Sequence, residues 1–84
     1  MTVEEVSEWN PEALTCDGFD EAIIGVAERI GLGPVVAYDV NKIINMLMES
    51  DEMSYEDAHE YFSFNIIGAW MGEFTPIFIH TEEN

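Results

Sequence analysis

The chain has 84 residues, nearly half of them apolar, with 18 acids against two bases, Arg29 and Lys42, for a formal charge of −16. That length supports one domain with one modest core, and the apolar share separates the chain from acidic disordered tails. The charge excludes unaided binding to nucleic acid or to an anionic membrane, since both would repel it. It leaves a basic protein partner, divalent cations or simple solubility in salt.

A single cysteine, Cys16, cannot form an internal disulfide and fits a reducing cytoplasm. There is no basic stretch followed by an apolar one of the signal-peptide kind. No apolar run reaches the roughly 18 residues of a membrane span. The expectation is a cytoplasmic chain without membrane contact.

Residues 1–18 read as an N-terminal arm, acidic and broken by Pro11. Thr2 and Glu5 have the spacing of a capping box for a short helix holding Val3, Val6 and Trp9. Residues 19–80 read as a single α+β domain. Phe19 to Ile30 fits a helix by one spacing and a strand by the Ile23-Ile24-Gly25-Val26 run. The following Gly31-Leu32-Gly33-Pro34 is turn chemistry, and Val35-Val36-Ala37-Tyr38 is rich in β-formers. The pair reads as a hairpin, with a first strand over Ala22–Arg29.

Asp39 then caps a helix from Val40 to about Glu49, apolar along Val40, Ile43, Ile44 and Leu47. A short link, Ser50 to Met53, predicts that the next helix runs antiparallel to it. That helix is expected from Ser54 to Gly72, opened by the Ser54 cap with Glu56 and Asp57 in its first turn. On a helical wheel Tyr55, His59, Phe62, Ile66 and Trp70 form the core strip. Ala58, Asn65, Gly68, Ala69 and Gly72, joined by Tyr61, form a strip of small residues that lets another backbone approach. A third strip begins as Glu56, Asp57 and Glu60 and continues as Phe64, Ile67 and Met71.

Thr75-Pro76 starts a last strand, Ile77 to Ile79, and His80 to Asn84 read as a frayed polar tail. The order β-β-α-α-β predicts a two-layer α+β domain: a small, mostly antiparallel three-stranded sheet with two antiparallel helices on one face. The last strand is expected beside the second and antiparallel to it.

The titratable residues make no catalytic or metal-binding pattern. His59 lacks a convergent partner, since the other histidine, His80, lies near the tail, so it reads as structural or surface. Cys16 has no basic neighbour or helix start to activate it. Asp17, Asp20 and Glu21, like Asp51, Glu52, Glu56 and Asp57, lack calcium-loop spacing and read as solvated surface. Gly31 and Gly33 lack the third glycine and the lysine of a phosphate loop. Asn65, set among apolar residues, reads as a buried amide bonded to backbone. No cofactor is expected.

The runs DGFDEAIIGVAERIG, VVAYD and MSYEDAHEYFSFNIIGAWMGEFTPIFI resemble small acidic proteins of unassigned function encoded by tailed bacteriophages, marine ones included. The resemblance covers about Asn10 to Ile79 and implies a phage origin and the cytoplasm of an infected cell. It carries no catalytic residues.

Three functions are compatible with these readings. The first is a non-enzymatic phage accessory protein that binds a host or phage protein. The second is an acidic mimic of nucleic acid that inhibits a DNA-binding host protein, which needs carboxylates in ordered rows. The third is a small hydrolase using carboxylates with His59, which needs them in one pocket. For the first, Phe64, Ile67 and Met71 are the candidate partner surface, for another protein or for a second copy in a homodimer. Alternatively, the N-terminal arm covers them with Trp9 and Leu14.

The charge alone yields a prediction. Like charges crowd in the compact state, and salt screens them over about 8 Å at physiological strength. The melting temperature is expected to climb over the first few hundred millimolar NaCl; a flat or falling trend means that the carboxylates are already compensated.

Overall fold

The computed structural model describes residues 1–68 and 71–81. Its elements are α1 (Val3–Trp9), β1 (Ile23–Arg29), β2 (Leu32–Asp39), α2 (Val40–Ser50), α3 (Tyr55–Asn65) and β3 (Ile77–Ile79). One 3₁₀ turn, Asp20–Ala22, leads into β1. The fold is α+β, with three helices and a mixed sheet in the order β1-β2-β3.

The capping box forms as its spacing predicts. The Glu5 amide donates to the Thr2 hydroxyl, and the Glu5 carboxylate accepts from the Thr2 amide. The Thr2 amide and hydroxyl, both donating to the Glu5 carboxylate, hold this carboxyl below its ordinary value. Asp39 caps α2 by accepting the Lys42 amide, and Ser54 caps α3 by accepting that of Asp57.

The hairpin turns at Ile30-Gly31, earlier than the Gly31–Pro34 turn expected from sequence, because Gly31 supplies the positive φ of +77°. Gly33 and Pro34 lie inside β2 instead. The pairs Ala27↔Val35 and Arg29↔Leu32 leave these two residues opposite Glu28 alone, a β-bulge. Pro34 has no amide to donate, and β3 reaches only as far as Ala37, so no ladder bond is lost. A second irregularity leaves Ile24 unpaired and exposed.

β3 pairs beside β2, but parallel to it, where an antiparallel return is expected from sequence. The cause lies in α3, which ends at Asn65 instead of Gly72. The described residues between α3 and β3, 66–68 and 71–76, therefore serve as a connector rather than as further helix. A parallel neighbour requires a long crossover, here made of α2, α3 and this connector.

The local sequence permits α3 to end here without requiring it. Phe64, Asn65, Ile66 and Ile67 are weak helix formers, and Gly68 follows them. The Ile66 and Ile67 amides both donate to the Phe62 carbonyl, at 3.0 and 2.9 Å. The chain folds back so tightly there that a Cβ on Gly68 would lie 3.3 Å from the Ser63 carbonyl oxygen. The buried face of α3 is correspondingly narrow. Ala58 and Phe62 are buried, His59 and Ile66 are half-buried, and Tyr55 is exposed. Ala69 and Trp70, placed on the small-residue and core strips from sequence, lie outside the described residues.

Alternate residues of a strand face opposite ways, and all four of Val35, Val36, Ala37 and Tyr38 are buried. Thus β2 is covered on both faces, not on one. Val36 and Tyr38 join the main core with Val6, Ile23, Ile43, Leu47 and Phe62. Val6 is 2% exposed, so the N-terminal helix contributes to that core.

Tyr38 is fully buried, and its ring stacks on Phe78 at 5.8 Å. Phe78 in turn meets Phe62 edge to face at 5.5 Å. The Tyr38 hydroxyl accepts the Cys16 amide at 2.7 Å. Thr81 accepts from Asn41 and donates to Asp39, so this part of the expected frayed tail is clasped to the start of α2. Glu82 to Asn84 lie outside the described residues.

Burial pushes the Tyr38 phenol from 10.0 up to about 12. The folded chain then holds this proton more tightly than the unfolded one. The associated stability, about 2–3 kcal/mol, is full below pH 10 and is lost as pH rises through the folded value. Urea melts from pH 8 to 11.5 are expected to weaken above pH 10. Tyr38→Phe should be about 1–2 kcal/mol weaker at pH 8, because the Cys16 amide loses its acceptor, and should show a flatter alkaline limb. Equal alkaline slopes for both chains would contradict the assignment.

Candidate functional site

Phe64, Ile67 and Met71 are 76%, 49% and 69% exposed. All three lie within eight residues of one another along the chain, at and just beyond the end of α3. The early helix end changes their geometry: Phe64 projects from the last turn, while Ile67 and Met71 stand on the connector. The N-terminal arm leaves them open. Trp9 is itself exposed, and Leu14 is half-buried at the edge of the neighbouring groove.

Two depressions adjoin this patch. One, of about 420 Å³, lies between Met53, Asp57, Glu60, Tyr61 and Phe64. The other, of about 330 Å³, is the more apolar, lined chiefly by Leu14, Phe19, Ile66, Met71, Pro76 and Phe78, with Asp17 at its side. Asn65 borders both. Contrary to the buried role expected from sequence, Asn65 is exposed, and its amide donates to the Tyr61 carbonyl at 3.2 Å.

The groove walls are stitched together by backbone bonds. The Leu14 amide donates to the Phe74 carbonyl, and Thr75 donates to Gly72. Arg29 reaches the Glu73 carbonyl through its Nη2, while its buried Nε has no partner. Asn10 donates to the Pro34 carbonyl. A Cβ on Gly33 would meet Phe74 Cε1 at 2.8 Å, so this glycine gives the connector room to lie against β2.

His59 is half-buried, with its ring 4.5 Å from that of Tyr55. His80 is exposed. Among the described residues no three His, Cys, Asp or Glu side chains come together in a way that could hold a metal ion. The acids singled out from sequence, Asp17, Asp20, Glu21, Asp51, Glu52, Glu56 and Asp57, are all exposed. Burial raises the Cys16 thiol, with the Tyr38 hydroxyl acting against it, so this sulfur lacks the lowered pKa of a nucleophile. A shallow cleft of about 400 Å³ beside α2 is polar, but its Asp39 and Asn41 are already engaged in the cap and the Thr81 clasp.

The groove beside Met71 was missed in the sequence because its walls come from segments as distant as Leu14 and Phe78. The exposed strip itself was visible as apolar residues continuing a charged line. No helix among the described residues is long and apolar enough to cross a membrane. Comparison of the chain with family models, curated proteins and solved structures gave no match.

The exposed position of Asn65 sets a small expected cost. Asn65→Ala should lose no more than about 1 kcal/mol in urea melts, the range of a solvent-accessible hydrogen bond. Asn65→Asp should lose a similar amount, by placing negative charge at the helix C-terminus. A loss of about 3 kcal/mol for Asn65→Ala would restore the buried role.

Proposed function

We propose that this chain is a non-enzymatic accessory protein of a tailed bacteriophage. In this reading it acts in the cytoplasm of the infected cell by binding a host or phage protein through Phe64, Ile67 and Met71. The observation that carries the reading is the exposure of these three large apolar groups on a body this small. Leaving each in water forgoes about 1.5–3 kcal/mol relative to burial, and Phe64 and Met71 each border a depression that an apolar side chain of a partner could fill. The phage setting comes from the resemblance carried by the Tyr38-Asp39, Met53-Ser54-Tyr55 and Thr75-Pro76 elements and their surroundings.

The test is site-specific photocrosslinking in infected-cell lysate, with benzoylphenylalanine in place of Ile67 and, as a control, in place of Ile24. The Ile67 position should give an adduct that excess parent chain suppresses and excess Phe64→Ser/Met71→Ser chain does not. An adduct with the chain itself would make the partner a second copy. Equal adducts from both positions, or none that the parent suppresses, would overturn the reading.

A further inference from the structure

We propose that the occupant of this face is a basic amphipathic helix, with an apolar anchor on each side of Asn65 and its cations toward Asp57, Glu60 and Asp17. This rests on the protein-binding reading above and adds the chemistry of the partner.

The shape comes first. The two depressions, about 420 and 330 Å³, both border Asn65 at the end of α3. Each has room for a side chain of the size of Leu or Phe. Met53 borders one and Met71 the other, and thioether side chains adapt to differing anchors.

The backbone beside the depressions decides between a helical and an extended partner. The amides of Leu14, Cys16, Ile66 and Thr75 are all committed to internal acceptors. An extended peptide laid over them would find these four donors taken, whereas a helix satisfies its backbone internally.

Charge decides between a foreign partner and a second copy. No lysine or arginine borders either depression. Arg29 is engaged with the Glu73 carbonyl, and Lys42 lines the cleft beside α2. Asp57, Glu60 and Asp17 thus stand beside the depressions without a cation of this chain next to them. A second copy would set −16 against −16, whereas a cationic helix is drawn in and oriented by the same field.

The probe is a synthetic Lys/Leu peptide about 18 residues long, patterned as an amphipathic helix and read by fluorescence anisotropy against the full chain. Three controls accompany it: a Lys/Gln peptide of equal charge, a Glu/Leu amphipathic peptide and the Ile24→Ser chain. The Lys/Leu peptide should bind about tenfold or more tightly than the Lys/Gln peptide. Phe64→Ser/Met71→Ser should remove about tenfold or more of that affinity, and Ile24→Ser should leave it unchanged. On the parent chain, peptide-induced amide shifts should fall on both sides of Asn65, around Tyr61–Phe64 and Leu14–Phe19. The double variant replaces exposed groups and should keep the parent's circular dichroism; the amide shifts need no variant.

Equal binding of the Lys/Gln or Glu/Leu peptide, or undiminished binding by the double variant, would overturn the proposal. So would light scattering that finds a dimer dispersed by the double variant and not by the peptide. In that last case the face still binds protein and only the basic helix is lost. A negative photocrosslinking result at Ile67 removes the binding reading itself.

Discussion

The fold depends on keeping the Tyr38 side chain fully buried with its hydroxyl satisfied. Its ring lies against Phe78, its strand position pairs with both β1 and β3, and its oxygen accepts the Cys16 amide. A phenol in an apolar interior is costly unless hydrogen-bonded. The loop through Cys16 is therefore tied to the sheet by the same group that fills the core. Phe78 carries the contact on to Phe62, so one aromatic run links the N-terminal loop, the sheet and α3.

That run also places the candidate site. Phe62 is buried in the last turns of α3, and its carbonyl receives the amides of Ile66 and Ile67 where the helix ends. Once Phe62 is anchored, Phe64 two residues later projects outward. Ile67 and Met71, beyond the helix end, are exposed as well. The apolar face is thus a consequence of where the helix stops. Its second wall comes from the N-terminal loop, held in place through Leu14 and Cys16.

Charge contributes little to holding this architecture. Apart from the half-buried Asp39, the acids among the described residues are exposed, and the caps at Thr2, Asp39 and Ser54 use hydroxyl or carboxylate oxygens on backbone amides. Arg29 spends its guanidinium on a backbone carbonyl. The negative field is therefore left uncompensated across the surface, where it favours a cationic ligand over a second acidic chain. Specific docking still needs apolar contacts, because charge alone attracts without fixing position.

By itself the sequence determined the local elements. The capping box and caps, the hairpin, the apolar face of α2 and the last strand all follow from neighbouring residues, because hydrogen bonds and periodicity within a few positions decide them. It also showed that Phe64, Ile67 and Met71 are out of place on a charged line. Tertiary structure decided where α3 stops, since Gly68 is acceptable in a helix at a cost of about 1 kcal/mol and only packing settles the balance. The stop in turn made β3 parallel and left Asn65 at the surface. The groove beside Met71 likewise exists only when Leu14, Ile66 and Phe78 are brought together, which spacing along the chain does not encode.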